Sequence, residues 1–250
     1  MKLMVLGTAY FPSEAEFRLK CWIFLRSCQK FGIGEESLRF YGIGATQYTN
    51  LFDMRITGVI NFLNGNAEDF THVLVTDVWD VFFASGLDEI IGKYKAAGSP
   101  KVLARIDDLQ GFCKQAEGTG YTDDKGRAPT SGSYIAEIPY LVEALSKMQH
   151  VEFEDLWSWI DGYKQGFFHP TADWNKDIFQ NTPDYWELEL RNGRFMNTET
   201  GTFPSLFHFG GEYCDPDTGK DYLLRPWVEK IGVIGKGEPR SLYEGPICLG

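Results

Sequence analysis

Apolar and polar positions follow two different repeats along the chain. From Phe17 to Cys28 apolar side chains recur every three or four residues, and the preceding Ser13 and Glu16 form the S-x-x-E pattern of a helix start. His72 to Thr76 is instead a short, continuous, β-branched run, as in a strand buried on both faces. The patterns predict strands at residues 2–7, 38–41, 72–76, 101–105, 133–137, 186–190 and 205–208, and helices at 17–28, 53–63, 85–97, from 139, 151–166 and 222–231.

The order of these elements predicts an α/β fold. Strands that alternate with helices favour a Rossmann-like, mostly parallel sheet flanked by helices. The polar, Gly-rich segment 107–129 is expected to be a long loop, and such loops are often functional. No repeat, low-complexity tract or linker divides the sequence, so we predict a single domain over residues 1–250.

Two carboxylates, Asp77 and Asp80, follow the His72–Thr76 strand in the apolar segment HVLVTDVWDVFF. Ionised side chains are costly to hold in apolar surroundings unless something pairs with them. Ligands of open α/β sheets bind at the carboxyl ends of strands, and carboxylate oxygens suit Mg²⁺ or Mn²⁺, particularly beside a nucleotide diphosphate. The pair therefore favours a metal site, and the alternative is a helix cap at Asp80 with a surface turn at Asp77.

A histidine near the end of the sequence strengthens the metal interpretation. In FPSLFHFGG, His208 ends a predicted strand, and Gly210 and Gly211 follow it. Such a histidine can be a third metal ligand, and glycines let a backbone approach phosphates closely. The alternative is an ordinary histidine beside a turn. The small polar residues of TSGSYI, from Thr130, either contact a sugar or form an ordinary loop.

Charge and cysteine usage limit the classes of partner. The 24 basic and 35 acidic residues give a net charge of −11, which disfavours nucleic acid, although a local groove around Lys114, Lys125 and Arg127 is conceivable. Five cysteines without a CxxC grouping predict free thiols in a reducing compartment, the cytoplasm. The apolar start is too short for a signal peptide, and no stretch approaches the roughly 18 apolar residues of a membrane span.

Taken in order, several segments resemble the glycosyltransferase domain of procollagen lysyl hydroxylases and, more broadly, GT-A glycosyltransferases. They extend from Leu6 to about Trp227 and are LGTAY, FLRSCQKFG, YGIGATQY, VLVTDVWDVFF, RAPTSGSYIA, GRFMNTETG and FPSLFHFGG. HFGG also resembles a glycogenin motif. The resemblance implies a GT-A fold and metal-dependent transfer of a hexosyl or pentosyl group from a UDP-sugar to a hydroxyl acceptor.

The resemblance also implies roles for individual residues. Asp77, Asp80 and His208 would hold Mn²⁺, with Mg²⁺ as the alternative ion. Asp177, which falls where the family has an Asp-Asp-Gln run, is the first candidate to position the acceptor hydroxyl or take its proton. Glu189 is the second candidate and does not come from the resemblance, and the alternative for it is an exposed strand residue. The donor-binding residues would be Thr8 and Tyr10 at the uridine, Tyr48 on the uracil, Ser131 and Gly132 near the sugar, Gly210 and Gly211 at the pyrophosphate, and Lys220, with Arg225 as its alternative, against the phosphates.

Departures from the family pattern leave the acceptor open. Thr130 replaces an asparagine, Lys176 replaces an aspartate, and Gly210–Gly211 lack the usual asparagine. The acceptor classes are a protein hydroxylysine, a glycan, or a hydroxymethylated base of viral DNA, the last disfavoured by the net charge. Two further interpretations are a catalytically silent nucleotide-sugar-binding module and a nucleotidyltransferase. A Gly-rich, lysine-containing loop after the first strand would favour the nucleotidyltransferase, and GTAYFPSEAEF lacks one.

Overall fold

A six-stranded sheet lies at the centre of the computed structural model, which describes residues 1–45, 53–108, 119–148, 155–181, 187–209 and 221–249. The strands in these ranges are β1 (Leu3–Thr8), β2 (Leu38–Tyr41), β3 (His72–Asp77), β4 (Val81–Phe83), β5 (Val102–Asp108), β6 (Arg127–Glu137), β7 (Thr171–Ala172), β8 (Phe179–Asn181), β9 (Leu188–Arg191), β10 (Arg194–Asn197) and β11 (Leu206–His208). The helices are α1 (Glu14–Lys20), α2 (Trp22–Lys30), α3 (Val59–Asn66), α4 (Leu87–Ala96), α5 (Ile138–Lys147), α6 (Asp155–Lys164) and α7 (Asp221–Lys230). A π-helical turn, Met54–Gly58, leads directly into α3.

The central sheet is mostly parallel, as predicted. Its strand order is β2-β1-β3-β6-β5-β7, and β6 alone among these strands runs antiparallel to its neighbours. A second, three-stranded sheet has the order β4-β11-β8, and β9 pairs with β10 as a hairpin. The second sheet matters for the site because β4 begins just after Asp80 and β11 ends at His208.

Helices cover both faces of the central sheet, and alternating strand residues face the two layers. In β1, Met4 and Leu6 pack into the layer of α3, α5 and α6, whereas Leu3 and Val5 pack into that of α1, α2 and α4. All four side chains are buried. Fully burying such a side chain contributes about 1.5–3 kcal/mol, so two-sided burial explains the continuous apolar runs of the parallel strands.

The predicted helix over residues 17–28 is interrupted at Cys21, where ψ is 19°. Hydrogen bonds still cross the break, because the Cys21 N–H donates to the Phe17 carbonyl at 2.8 Å. The predicted start is correct: Ser13 is the N-cap, and its hydroxyl accepts from the backbone N–H of Glu16 at 3.2 Å. Cys21 and Cys28 are both buried in the core, as small residues within the helical pattern.

The predicted loop over residues 107–129 is partly strand. β5 continues to Asp108 and β6 begins at Arg127, while residues 109–118 lie outside the described ranges. The patterns also missed β4, β7, β8 and β10, each only two to four residues long. Such short strands contain too few alternating positions to produce a repeat. Within the described part of the chain, no helix is long and apolar enough to cross a membrane.

Candidate active site

The carboxyl ends of β1, β2 and β3 meet at one edge of the central sheet, the edge at which open α/β sheets bind ligands. There Thr8 is the register partner of both Asp77 and Tyr41. Thr8 is buried, and its hydroxyl lies 3.2 Å from the phenol oxygen of Tyr41. Tyr10, two residues further on, is 42% exposed. Thr8 thus lies one strand away from a predicted metal ligand, and Tyr10 faces outward beside it.

Asp77, Asp80 and His208 converge at this edge. Each offers one candidate ligand atom, and these atoms all lie within 4.8 Å of one another. The Nε2 atom of His208 is 3.2 Å from Oδ1 of Asp80 and 3.5 Å from Oδ2 of Asp77. His208 and Asp80 are buried and Asp77 is partly buried. Two carboxylates in such a place repel each other unless a cation or a proton lies between them.

The second sheet brings His208 to the two aspartates. β11 runs antiparallel to β4, with His208 opposite Val81, the residue after Asp80. One hydrogen bond closes the corner, because the backbone N–H of Phe209 donates to the Asp80 carbonyl at 2.7 Å. The third side chain of the cluster is therefore positioned by strand pairing rather than by a loose loop.

The spacing of the cluster fits a six-coordinate divalent ion. An octahedral ion about 2.1 Å from each ligand separates neighbouring ligand atoms by about 3 Å. The separations of 3.2 and 3.5 Å around His208 Nε2 are close to that value. Carboxylate oxygens suit Mg²⁺ and Mn²⁺. The residues therefore fit the kind of ion that the resemblance implies.

Gly132 packs directly against the His208 ring. A Cβ atom at position 132 would lie 2.6 Å from Cε1 of His208, closer than real Cβ atoms approach other atoms. β6 brings Gly132 to the edge because the next residue, Ser133, pairs with Thr76 of β3. Ser131 precedes it and is partly buried. The missing side chain at Gly132 therefore makes room for the imidazole.

A buried arginine that sequence patterns did not indicate joins three strands beside the cluster. Arg105 of β5 donates from Nε to the Thr130 hydroxyl of β6 at 3.2 Å. Its two terminal nitrogens donate to Oδ1 of Asn181 and to Oδ2 of Asp107, each at 3.2 Å. Asn181 also donates to Asp107 at 2.6 Å. Since Asn181 is the β8 register partner of His208, this network borders the candidate metal site.

The backbone explains how Arg105 reaches the site. The pairing of β5 with β6 is irregular between Ala104 and Ile106, and such bulges re-aim side chains toward neighbouring sites. Asp107 follows near the carboxyl end of β5, the same kind of position that indicated Asp77. A sequence signal for Asp107 was therefore present. The signal for Arg105 was not, because a bulge depends on pairing with a distant strand.

The π-helical turn before α3 brings another arginine, Arg55, to the cluster. One terminal nitrogen of Arg55 lies 2.5 Å from both carboxylate oxygens of Asp77. The two side chains are only 17% and 16% exposed. Turns of this type are frequent at functional sites, but an arginine inside a helical repeat gives no sequence signal.

The aromatic residues around the D-x-x-D turn pack against the core. The Trp79 ring stacks on Phe11 with centroids 5.1 Å apart, and the Lys20 ammonium lies 5.4 Å from the centre of Trp79. Phe82 stacks on Phe207 of β11 at 5.0 Å. These contacts pack Trp79 and Phe82, within and just after the D-x-x-D turn, against other parts of the chain.

Asp177 does not lie beside the cluster. It comes just before β8, whose first residue, Phe179, pairs with Leu206, whereas His208 pairs with Asn181 at the other end of the strand. Its backbone N–H donates to Asp173 at 3.2 Å, and its charge acts on Lys93 of α4. Burial raises the pKa of Asp173, although three backbone N–H groups donate to that carboxylate. The structure thus brings Asn181, not Asp177, next to His208.

Glu189 lies on the β9–β10 hairpin, which forms a two-stranded sheet of its own. Its side chain is 51% exposed and pairs with Arg191 at 2.9 Å. This exposure and this pairing are those of an exposed strand residue, the alternative that the sequence also offered for Glu189. The remaining predicted donor-binding residues lie outside the described ranges: Tyr48, Gly210, Gly211 and Lys220.

Several solved structures with a similar fold are glycosyltransferases. The galactosyltransferase LgtC, in complex with donor and acceptor sugar analogs, matches with a TM-score of 0.52 and 13% identity, over 94% of this chain and 98% of LgtC. An active-site mutant of LgtC matches with a TM-score of 0.51 and 14% identity over the same shares. The bifunctional glycosyltransferase WbbM matches with a TM-score of 0.52 and 12% identity, over 92% of this chain and 50% of WbbM. No protein-family model and no curated protein matches the chain.

These matches establish the fold. The chain has a mixed α/β fold of the GT-A glycosyltransferase type, with a mostly parallel central sheet flanked by helices. Identities of 12 to 14% show the fold alone and transfer no donor, acceptor or ion to this chain. These matches do not show the narrower resemblance to procollagen lysyl hydroxylases.

Proposed function

We propose that the chain is a metal-dependent glycosyltransferase that moves a hexosyl or pentosyl group from a UDP-sugar to a hydroxyl acceptor. The observation that carries the proposal is the convergence of Asp77, Asp80 and His208, whose candidate ligand atoms lie within 4.8 Å of one another. This convergence occurs at the sheet edge where open α/β folds bind ligands. The glycosyltransferase fold supports the same activity.

Mn²⁺ is the proposed ion, with Mg²⁺ as the alternative. When bound, such an ion acts as a Lewis acid that neutralises charge on the departing UDP. Asp77, Asp80 and His208 would hold it, and burial of Asp80 and His208 keeps two of the three side chains out of bulk water. Gly132 leaves the space that the imidazole ring of His208 occupies in this position.

The donor sugar is proposed to contact Ser131, Gly132, Asp107 and Asn181. Arg105 supports this assignment because its hydrogen bonds fix the Asp107 and Asn181 side chains beside the strand that carries His208. Thr8, Tyr10 and Tyr48 are proposed at the uridine, and Gly210, Gly211 and Lys220 at the phosphates. Asp177 and Glu189 remain predictions for the acceptor side. Asp80 is the first target for mutagenesis because it belongs to the cluster that carries the proposal.

The test compares UDP release from a panel of UDP-sugars with Mn²⁺ and with EDTA. Asp80→Asn removes one buried carboxylate charge and should abolish Mn²⁺-dependent release. The loss should exceed the about 10- to 100-fold that changes to outer-shell partners of a metal ligand cost. Asp69→Asn is the matched control. It makes the same chemical change at a side chain that is 86% exposed and forms a long ion pair, 3.9 Å, with Lys2.

Equal UDP release with EDTA and with Mn²⁺, or full activity in a folded Asp80→Asn variant, would contradict the proposal. UDP binding without turnover on any acceptor would instead indicate the silent binding module. Acceptors to be supplied are hydroxylysine peptides, glycans and hydroxymethylated DNA. The three acceptor classes are tested side by side, and the net charge of −11 makes the DNA the least favoured of them. A cytoplasmic location and a single domain over residues 1–250 complete the proposal.

A further inference from the structure

Arg55 and a metal ion would compete for the same carboxylate. In the structure one nitrogen of Arg55 contacts both oxygens of Asp77 at 2.5 Å, so neither oxygen lacks a hydrogen bond. The same Asp77 carboxylate faces His208 Nε2 at 3.5 Å. The pair is mostly buried, with side chains 17% and 16% exposed, so solvent screens these charges only partly.

The charges around the cluster predict whether the Arg55 contact weakens or strengthens metal binding. A divalent ion placed between Asp77, Asp80 and His208 would have the Arg55 guanidinium as a neighbour of like sign. Repulsion between them lowers the affinity of the protein for the ion alone. A diphosphate adds negative charge at the same place and offsets that repulsion.

We propose that Arg55 is a resident counter-ion that makes metal binding depend on the donor diphosphate. This inference rests on the proposed function and deepens it. With no nucleotide present, Arg55 holds the Asp77 carboxylate and metal binding is weak. With a nucleoside diphosphate present, ion and diphosphate bind together, and linkage requires each to strengthen the other by the same factor. The π-helical turn Met54–Gly58 is the backbone element that positions this arginine.

The test measures Mn²⁺ binding by isothermal titration calorimetry, first to the protein alone and then in the presence of UDP. In the wild type, UDP should tighten Mn²⁺ binding by about tenfold or more. Arg55→Gln should tighten binding of Mn²⁺ alone and reduce the strengthening by UDP correspondingly. Arg55→Lys keeps the charge and should behave more like the wild type.

Lys147→Gln is the matched control. It also removes one positive charge, but from an exposed pair with Glu143 on α5. It should change neither Mn²⁺ affinity nor its coupling to UDP. A control variant that reproduced the Arg55→Gln effect would overturn the proposal in favour of a general charge effect.

The sign of the Arg55→Gln effect distinguishes competition from simple orientation. If Arg55 only held Asp77 in a suitable rotamer, its removal would weaken Mn²⁺ binding, and the proposal would be overturned. If the variant does not fold, the wild-type titrations decide, since Mn²⁺ and UDP that bind independently contradict the coupling. A wild type that binds both ligands without coupling refutes this inference alone. A wild type that binds neither refutes the proposed function with it.

Discussion

Replacing Gly132 with alanine would place a methyl group against the ring of a predicted metal ligand. The new Cβ would lie 2.6 Å from Cε1 of His208 and 3.2 Å from both His208 Nδ1 and a terminal nitrogen of Arg105. Carbon atoms attract best at about 3.5–4.0 Å, so the ring must retreat by about 0.9 Å or the strand must shift. Neither movement is easy, because β11 is hydrogen-bonded to β4 on one side and β8 on the other.

The expected cost divides between stability and metal binding. Inserting a methyl group into a packed site destabilises by about 1–3 kcal/mol, which leaves a domain of about 5–15 kcal/mol stability still folded. Metal–ligand distances tolerate only about 0.2 Å, so a ring displaced by most of an ångström cannot ligate well. Misplacement of about 1 Å costs about 100-fold in rate. We therefore expect Gly132→Ala to fold, to bind Mn²⁺ weakly and to lose about 100-fold of UDP release.

The measurements are calorimetric Mn²⁺ titration with UDP present, UDP release, and thermal unfolding. Gly92→Ala in α4 is the matched control, because a Cβ there would meet nothing within 4 Å. It should leave Mn²⁺ binding unchanged and stabilise the helix by up to about 1 kcal/mol. If Gly132→Ala binds Mn²⁺ as the wild type does, the steric argument and the place assigned to His208 are both wrong.

Two further predictions concern stability. Arg105→Met should lower the free energy of unfolding in urea by about 3 kcal/mol, because it leaves buried polar partners without their cation. The exposed Arg191→Met should change it by less than about 0.5 kcal/mol, and equal losses would contradict a structural role for the network. Burial raises the pKa of Glu89, but hydrogen bonds from Arg194 and Lys93 outweigh it and hold the pKa below its usual value of 4.5. Glu89 therefore stabilises the fold above about pH 4.5 and loses this effect as the pH falls, so acid unfolding of Glu89→Gln should start from a smaller stability and be less steep. An acid-unfolding curve of Glu89→Gln identical to that of the wild type would refute this role of Glu89.

The part of the site that follows local rules was predictable from the sequence. Asp77 lies at the carboxyl end of an apolar strand, and open α/β sheets use that position for ligands. The strand itself was visible because burial on both faces makes it continuously apolar. The link to His208 came from family resemblance and from its place at the end of another strand. The contact of His208 with Asp80 was not predictable in this way, because it depends on the antiparallel pairing of two three-residue strands, β4 and β11.

The part that depends on long-range register was not predictable. Asn181 borders the cluster because β8 pairs in parallel with β11, and a one-residue slip would turn it to the other face. A family motif indicates Asp177 but carries no information on that register, and Asp177 lies four positions before Asn181 along the chain. Arg55 reaches Asp77 from a π-helical turn, and the i→i+5 hydrogen bonding of such a turn cannot be read from the apolar pattern of residues 53–63.

The number of residues between Asp80 and His208 determines when the cluster can first form during synthesis. His208 follows Asp80 by 128 residues (208 − 80). At about 5–20 residues per second, a ribosome needs roughly 6 to 25 seconds to make the intervening chain. During that interval Asp77 and Asp80 have already been synthesised, while β11, which carries the third side chain of the cluster, has not. The nascent chain therefore carries two carboxylates without their histidine, and the cluster becomes complete only when β11 joins β4.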